Sequence, residues 1–332
     1  MIKVEIAEDA QSVNLGMSTV MTHRAFGKYA EESLRAVRYE AIRLEELLSR
    51  FIPGSEISRV NRSAGIKCEK LSDETYEVLS RAIEFSRNFQ GIFDVTIGPL
   101  VNLWNNGKYT FKPPEDSSIR QVLSLVDYTD LILDPCKKTA GLQRIGQSID
   151  LGGIGKGFAG DKFLEVFKKY SVSSAYTNIG GNVVTLGTKP DGSSWRVGIQ
   201  HPRQENSLIG LVSVANKAVV TSGDYQRYFI GSNGKRYHHI LDPSTGYPAE
   251  KSGLVSVTVV ADSSTAADAL STILFVTGME KGLELLRQFS GAEAIIIEMD
   301  LQVHVTAGLK ECFQAGEGIN VNILNEKRRR RL

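Results

Sequence analysis

The chain is short of several things, and each shortage closes off a class of protein. It has three cysteines in 332 residues, Cys68, Cys136 and Cys312. They are scattered, odd in number and without metal-ligand spacing, so neither a disulfide framework nor a zinc site is expected, and buried thiols are. No stretch reaches the ~18 apolar residues that span a bilayer. The net charge is +1, which gives no general attraction to nucleic acid. G-x-G-x-x-G and the P-loop pattern are both missing, which disfavours a nicotinamide dinucleotide dehydrogenase and a Walker-type site. The opening MIKVEIAEDAQSV has no basic-then-apolar export signal and no early cysteine for lipidation, so a cytoplasmic protein is expected. There are no internal repeats.

What is there is ordinary globular composition, 42% hydrophobic and 23% charged, with 31 glycines that mark tight turns and close backbone approaches. Residues 1–325 read as one unit. The final KRRRRL reads as a solvated, disordered tail over 326–332, contact with nucleic acid or anionic lipid being the other reading.

Leu34, Val37, Ala41, Leu44, Leu48 and Phe51 repeat at helical spacing and predict a helix over 28–51, broken by Pro53 and Gly54. A second helix is expected from Ser72, with Asp73 and Glu74 in its first turn and Tyr76, Leu79 and Ile83 inward. Residues 105–148 read mostly as loops and short elements. Beyond 150 a Gly-rich turn precedes a helix near 156–170. NVVTLG and WRVGIQ read as a strand pair around Pro190-Asp191-Gly192, and QRYFI and KRYHHIL as a hairpin around Asn233-Gly234. GLVSVTVVA is a strand entering a helix, a further helix covers about 280–289, and AEAIIIE with QVHVTA makes a last hairpin. Hairpins outnumber strand–helix–strand units, so the fold class is α+β with mainly antiparallel sheets flanked by helices.

Five stretches carry candidate chemistry. In IDLGGIGKGFAGDKF, glycines surround Lys156 just ahead of a helix, an arrangement that suits a phosphate; a tight turn with a surface lysine is the alternative. Gly180-Gly181 reads as a bend or bulge, and Thr221, Ser222, Gly223 and Asp224 as a strand end open to a ligand, with an ordinary turn as the alternative. In RYHHILDPSTGYP the two histidines point to opposite faces of a strand, and one could serve as a base. In STAADALST, Ser264, Thr265, Asp268, Ser271 and Thr272 share one helix face, opposite a core face of Ala266, Leu270, Ile273 and Leu274. A carboxylate among hydroxyls suits Mg²⁺; a helix start capped by Ser264 is the alternative.

Taken in order, LGMSTVMT, SRFIPGSEISRVN, FDVTIGPLVNLW, DLGGIGKGFAGD, NIGGNVVTLG, VVTSGDYQRYF, HHILDPSTGYP and AADALSTILFVTG resemble the ApbE family, the FAD:protein FMN transferases. The resemblance implies Mg²⁺-dependent transfer of the FMN half of FAD onto a threonine or serine of an acceptor flavoprotein, with AMP leaving. By position it implies metal ligation by Asp268, Thr272 and the Gly155 carbonyl, and activation of the acceptor hydroxyl by His239. It places Lys156, Asp161, Gly180, Gly181, Ser222, Gly223, Asp242 and Thr245 in flavin-nucleotide motifs, with Met17 and Asp94 bordering the FAD pocket. Two departures stand out. The family's usual Met-Gly-Thr is Met17-Ser18-Thr19 here, and the position of Gly155 commonly carries alanine. FDVTIGPLVNLW is expected to form an apolar wall of the flavin cleft. Hydrolysis of FAD to FMN and AMP, and flavin binding without catalysis, are the competing readings.

Overall fold

The computed structural model describes residues 9–324; the basic C-terminal run lies outside the described residues. The chain opens with a hairpin of β1 (Asp9–Gly16) and β2 (Thr19–Phe26). Then follow α1 (Ala30–Leu48), α2 (Glu56–Arg62), β3 (Glu69–Lys70), α3 (Asp73–Asn88), α4 (Gly98–Thr110) and α5 (Asp116–Leu123). After β4 (Leu131–Asp134) and β5 (Thr139–Leu142) come α6 (Gly155–Lys169), β6 (Ser174–Ile179), β7 (Asn182–Leu186), β8 (Trp195–Gln200) and β9 (Leu208–Val214). Next are β10 (Ala218–Gly223), β11 (Tyr228–Ile230), β12 (Arg236–His238), β13 (Leu254–Ala261), α7 (Ser264–Thr277) and α8 (Met279–Leu286). The described chain closes with β14 (Glu293–Glu298), β15 (Val303–Thr306), β16 (Phe313–Ala315) and β17 (Val321–Leu324).

Nine strands form the main sheet in the order β1-β2-β6-β7-β10-β13-β14-β15-β17, antiparallel except for β15 beside β17. Its two faces are both covered, which is why β13 is buried at every position. One face, with Val220, Val257, Val259 and Ile296, packs on Leu34 and Val37 of α1, Phe163 and Phe167 of α6, and Leu270 and Ile273 of α7. The other, with Val219, Val260, Ile295 and Ile297, packs on Trp195, Ile209 and Val212 of a small β16-β9-β8 sheet. A third cluster joins Leu100 and Trp104 of α4 and Ile119 of α5 to Phe229 and Tyr237 of the β11–β12 hairpin.

The α+β architecture and the main helices agree with the sequence reading. Ser72 caps α3 by accepting from the Thr75 N–H, with Asp73 and Glu74 beside it. Several expectations are corrected. α1 stops at Leu48, and Phe51 beyond it is 70% exposed, because the chain turns at Ser49. Residues 105–148 hold the C-terminal part of α4 and all of α5, β4 and β5 rather than mainly loops. β7 and β8 do not pair. β7 lies inside the main sheet between β6 and β10, while β8 joins β9. The cysteines are all exposed, since each sits in a connecting turn rather than on a core face. The α7 cap is Ser263, not Ser264: its hydroxyl accepts from the Ala266 N–H. The polar face of α7 is no surface, for Ser264, Thr265, Asp268 and Ser271 are all buried, and Ala266 is only half-buried.

Candidate active site

The site begins where α6 meets α7. The residue ahead of α6, Ile154, supplies no side-chain cap. Instead the Gly157 N–H donates to Asp268 Oδ2 on α7 at 2.8 Å, so a carboxylate sits at the positive end of the α6 dipole. Glycine is required there, because a Cβ on residue 157 would lie 2.3 Å from the Ser264 carbonyl oxygen and 2.7 Å from Asp268 Cβ. Asp268 is 4% exposed, and among the described residues its Oδ1 has no hydrogen-bond partner. Gly155, the first residue of α6, stands two positions before Gly157 on the same helix start.

One turn further along α7, hydroxyls converge. Ser222 Oγ, at the end of β10, lies 2.8 Å from Ser271 Oγ and 3.3 Å from Thr272 Oγ1, which in turn bonds the Asp268 carbonyl at 3.4 Å. A Cβ on Gly153 would come within 3.5 Å of Thr272 Oγ1 and 3.0 Å of the Phe93 ring, so the glycine run lies directly over the threonine.

His239 is the next candidate group, within electrostatic reach of Lys156. His238, the last residue of β12, is buried, edge-on to Phe275, and His239, one residue past the strand rather than in it, is exposed. His239 Nδ1 lies 3.0 Å from the Arg227 carbonyl, and the His239 backbone N–H donates to the same oxygen at 3.1 Å. A carbonyl only accepts, so Nδ1 carries the proton and Nε2 keeps its lone pair. The residue is exposed, yet the protein packed around it still desolvates the ring. That desolvation pushes the pKa down to about 4; the Arg227 carbonyl opposes it, and the charges of Arg227 and Lys156 reinforce it. His239 is therefore neutral at pH 7. Lys156 Nζ reaches Asn182 Oδ1 at 3.4 Å, and Asn182 Nδ2 is buried without a partner.

Three turns close the rim. Gly180 and Gly181, both with positive φ, make the two-residue turn between β6 and β7, and a Cβ on Gly180 would collide with Thr19 Oγ1 at 2.2 Å. Met17 and Ser18 make the matching turn between β1 and β2, at φ 50° and 58°, although neither is glycine. The Met17 N–H donates to Glu45 Oε1 at 3.0 Å, which pins this left-handed turn to α1. The third turn, 224–227, carries the Arg227 carbonyl.

Other expected residues are turned elsewhere. Asp161 accepts from the Ser264 N–H, the Thr265 N–H and hydroxyl, and the Ser263 hydroxyl at 2.6–3.0 Å; it fastens the start of α7. Asp94 accepts from Thr96 and from the Tyr128 N–H, and burial raises its pKa. Asp242 closes its own turn onto Ser244, and Thr245 accepts from the Tyr247 N–H. That turn rests on α4 and α5, with Trp104 Nε1 donating to the Gly246 carbonyl. The residues of FDVTIGPLVNLW are not laid out as a wall: Phe93, Val95, Leu100 and Trp104 are buried in two cores, with only the Phe93 ring edge at the glycine run. Arg227 and Glu45 were not foreseen. Arg227 acts through its carbonyl, which leaves no trace in side-chain pattern; Ser271, by contrast, was visible on the polar stripe of α7.

Fold and donor chemistry together define a class, an α+β protein that gathers oxygen donors at a helix N-terminus that carries a lysine, with a neutral histidine within electrostatic reach of that lysine. Comparison with known proteins narrows it. Residues 17–296 match the model of the ApbE family. A FAD:protein FMN transferase of Klebsiella pneumoniae (strain 342) is 36% identical over 269 residues, 80% of this chain and 83% of the relative. One of Treponema pallidum (strain Nichols) is 34% identical over 89% of this chain and 86% of the relative. The ApbE protein of Thermotoga maritima superposes with a TM-score of 0.84 at 29% identity, covering 92% of this chain and 99% of that one. The flavin transferase ApbE of Vibrio cholerae gives 0.82 at 26%, over 92% and 99%. The chain belongs to the ApbE family.

Proposed function

We propose that this protein transfers the FMN moiety of FAD to a Thr or Ser hydroxyl of an acceptor flavoprotein, with AMP as the other product. The observation that carries the reading is His239, neutral, with its Nδ1 committed to the Arg227 carbonyl, its Nε2 free among the described residues, and the charge of Lys156 near enough to be felt at the ring. It is supported by family membership and by relatives named for this activity.

The chemistry follows from the geometry. The pyrophosphate of FAD fits against the α6 N-terminus, with Lys156 supplying positive charge and the neighbouring glycines giving room for close approach. His239 Nε2 takes the proton of the acceptor hydroxyl. The hydroxyl oxygen forms a bond to the FMN phosphorus, the bond from that phosphorus to the bridging oxygen breaks, and AMP leaves with that oxygen.

The donor set also fits Mg²⁺. Asp268, Thr272 and the Gly155 carbonyl would hold it, all through hard oxygen atoms, and Asp268 Oδ1 is uncommitted. Among the described residues no three His, Cys, Asp or Glu side chains converge, so substrate oxygens or water would have to fill the remaining positions. Bound there, the ion supplies neutralisation of phosphate charge. Met17, Gly180, Gly181, Ser222 and Gly223 line the approach in this reading, whereas Asp94, Asp161, Asp242 and Thr245 shape the loops and helix that bear the site.

A second reading, hydrolysis of FAD with water as acceptor, is favoured by the solvent access of His239. Incubation with FAD, Mg²⁺ and a flavinylation-competent acceptor separates the two. Transfer gives an acceptor mass increase and AMP in equal amounts; hydrolysis gives AMP with no mass change. Among the described residues no helix is long and apolar enough to cross a membrane.

A further inference from the structure

The turn at 224–227 holds the carbonyl that sets the His239 tautomer, and beyond the His239 N–H bond to that carbonyl the side chains of residues 225–227 fasten it only loosely. Gln226 Nε2 reaches the Thr221 carbonyl at 3.3 Å, Arg227 Nη2 reaches the Ser18 carbonyl at 3.5 Å, and the Tyr225 hydroxyl lies 3.4 Å from Ser256 Oγ. All three are long. The short contacts belong to Asp224. Its N–H donates to the Val255 carbonyl at 3.1 Å, and its buried carboxylate takes a two-pronged grip from Arg203, Nη1 to Oδ1 and Nη2 to Oδ2, both 2.7 Å. Arg236, three residues before His239, stands 3.9 Å from the same carboxylate. Arg203 is itself fixed, its N–H donating to His201 Nδ1 at 3.1 Å in the β8–β9 connection. One ion pair thus ties the small sheet to the turn that faces the site.

We infer that Arg203 and Asp224 are positioning residues: their ion pair holds the Arg227 carbonyl where it keeps the proton on His239 Nδ1 and leaves Nε2 free. The assignment rests on the function proposed above, in which Nε2 accepts the hydroxyl proton. Neither residue touches the reacting atoms. A carbonyl displaced by an ångström no longer selects one tautomer, and the imidazole becomes a mixture in which part of the population lacks a base.

The test is imidazole ¹⁵N NMR on the full chain, with His239 assigned by its loss in His239→Gln, alongside transfer kinetics. The wild type should show Nε2 as the unprotonated nitrogen. In Asp224→Asn and Arg203→Lys the two nitrogens should average toward one another. kcat should fall about tenfold or more while KM for FAD moves less than about threefold. Circular dichroism checks that each variant folds. If Asp224→Asn does not fold, Arg203→Lys decides, since this side chain is 31% exposed and keeps its charge. An unchanged His239 tautomer, or an unchanged kcat, in a folded variant overturns the inference. If the wild type transfers no FMN, the proposed function fails, and the tautomer alone decides whether the ion pair sets it.

Discussion

Asp268 Oδ2 accepts the Gly157 N–H at 2.8 Å, and this one bond joins the helix that carries the acid to the helix start that faces it. The backbones lie so close that residue 157 has no room for a Cβ, whereas a Cβ at residue 155 would meet only Leu151 Cβ, at an ordinary 3.5 Å. Gly157→Ala should therefore lose transfer activity and cost about 2 kcal/mol or more, because the clashing atom is a backbone carbonyl. Gly155→Ala should fold at least as stably and keep its activity. Urea midpoints and transfer rates on both variants check the contrast, and equal behaviour of the two would refute it.

Asp161 has a stability role that its place in a nucleotide motif conceals. It receives four hydrogen bonds from Ser263, Ser264 and Thr265. Asp161→Ala should destabilise the fold by about 2 kcal/mol, as expected for a lost helix cap. Asp161→Asn, which keeps an acceptor, should lose less. Denaturant unfolding of the two variants measures the difference.

Ser18 occupies a left-handed conformation at φ 58°, where the family pattern usually has glycine. An L-residue pays roughly 1–2 kcal/mol there, partly offset by its lower entropy in the unfolded chain. Ser18→Gly should raise stability by up to about 1 kcal/mol. A fall in the urea midpoint would show that the turn is not strained at this residue.

How much of this was legible from residues alone differs from element to element. Helices α1, α3, α6 and α7 were visible because periodic apolar positions report burial directly. The polar stripe of α7 was visible for the same reason, although its burial was not, since α6 covers it only in the folded chain. β7 and β8 misled. Flanking a Pro-Asp-Gly turn they read as a hairpin, yet β7 is buried at four of five positions and suits the middle of a sheet, while β8 alternates with exposed residues. The β1–β2 hairpin went unread because Val13, Leu15 and Val20 are exposed, at 69%, 82% and 51%, so apolar pattern there does not mark the core. Backbone groups such as the Gly157 N–H, a donor, and the Arg227 carbonyl, an acceptor, carry no residue-type signal at all.

His23 sets an acid limit on stability. It is buried, with Nδ1 2.7 Å from Thr177 Oγ1, and desolvation pushes its pKa from 6.5 down to about 4. The unfolded chain takes up a proton near 6.5 that the folded chain refuses until about pH 4. The protein's stability is therefore fully present above pH 6.5 and falls as the pH drops toward 4. At pH 5 the loss from this group is about 2 kcal/mol. Urea unfolding of wild type and His23→Gln at pH 7.5 and pH 5 isolates it, because the other histidines contribute equally to both. The wild type should lose more on acidification; parallel losses would contradict the assignment.

In the proposed mechanism His239 and Asp268 together drive FMN transfer, and a single assay puts both roles to the test. The full chain is incubated with FAD, Mg²⁺ and a flavinylation-competent acceptor protein while intact acceptor mass and AMP are followed together. The wild type should add one FMN phosphoester per acceptor and release one AMP for each. His239→Ala should lower this rate at least about a hundredfold, the scale of general-base catalysis, and Asp268→Ala should abolish both the rate and its response to Mg²⁺. Acceptor modification at the wild-type rate in either variant, or AMP release by the wild type with no gain in acceptor mass, would contradict the account.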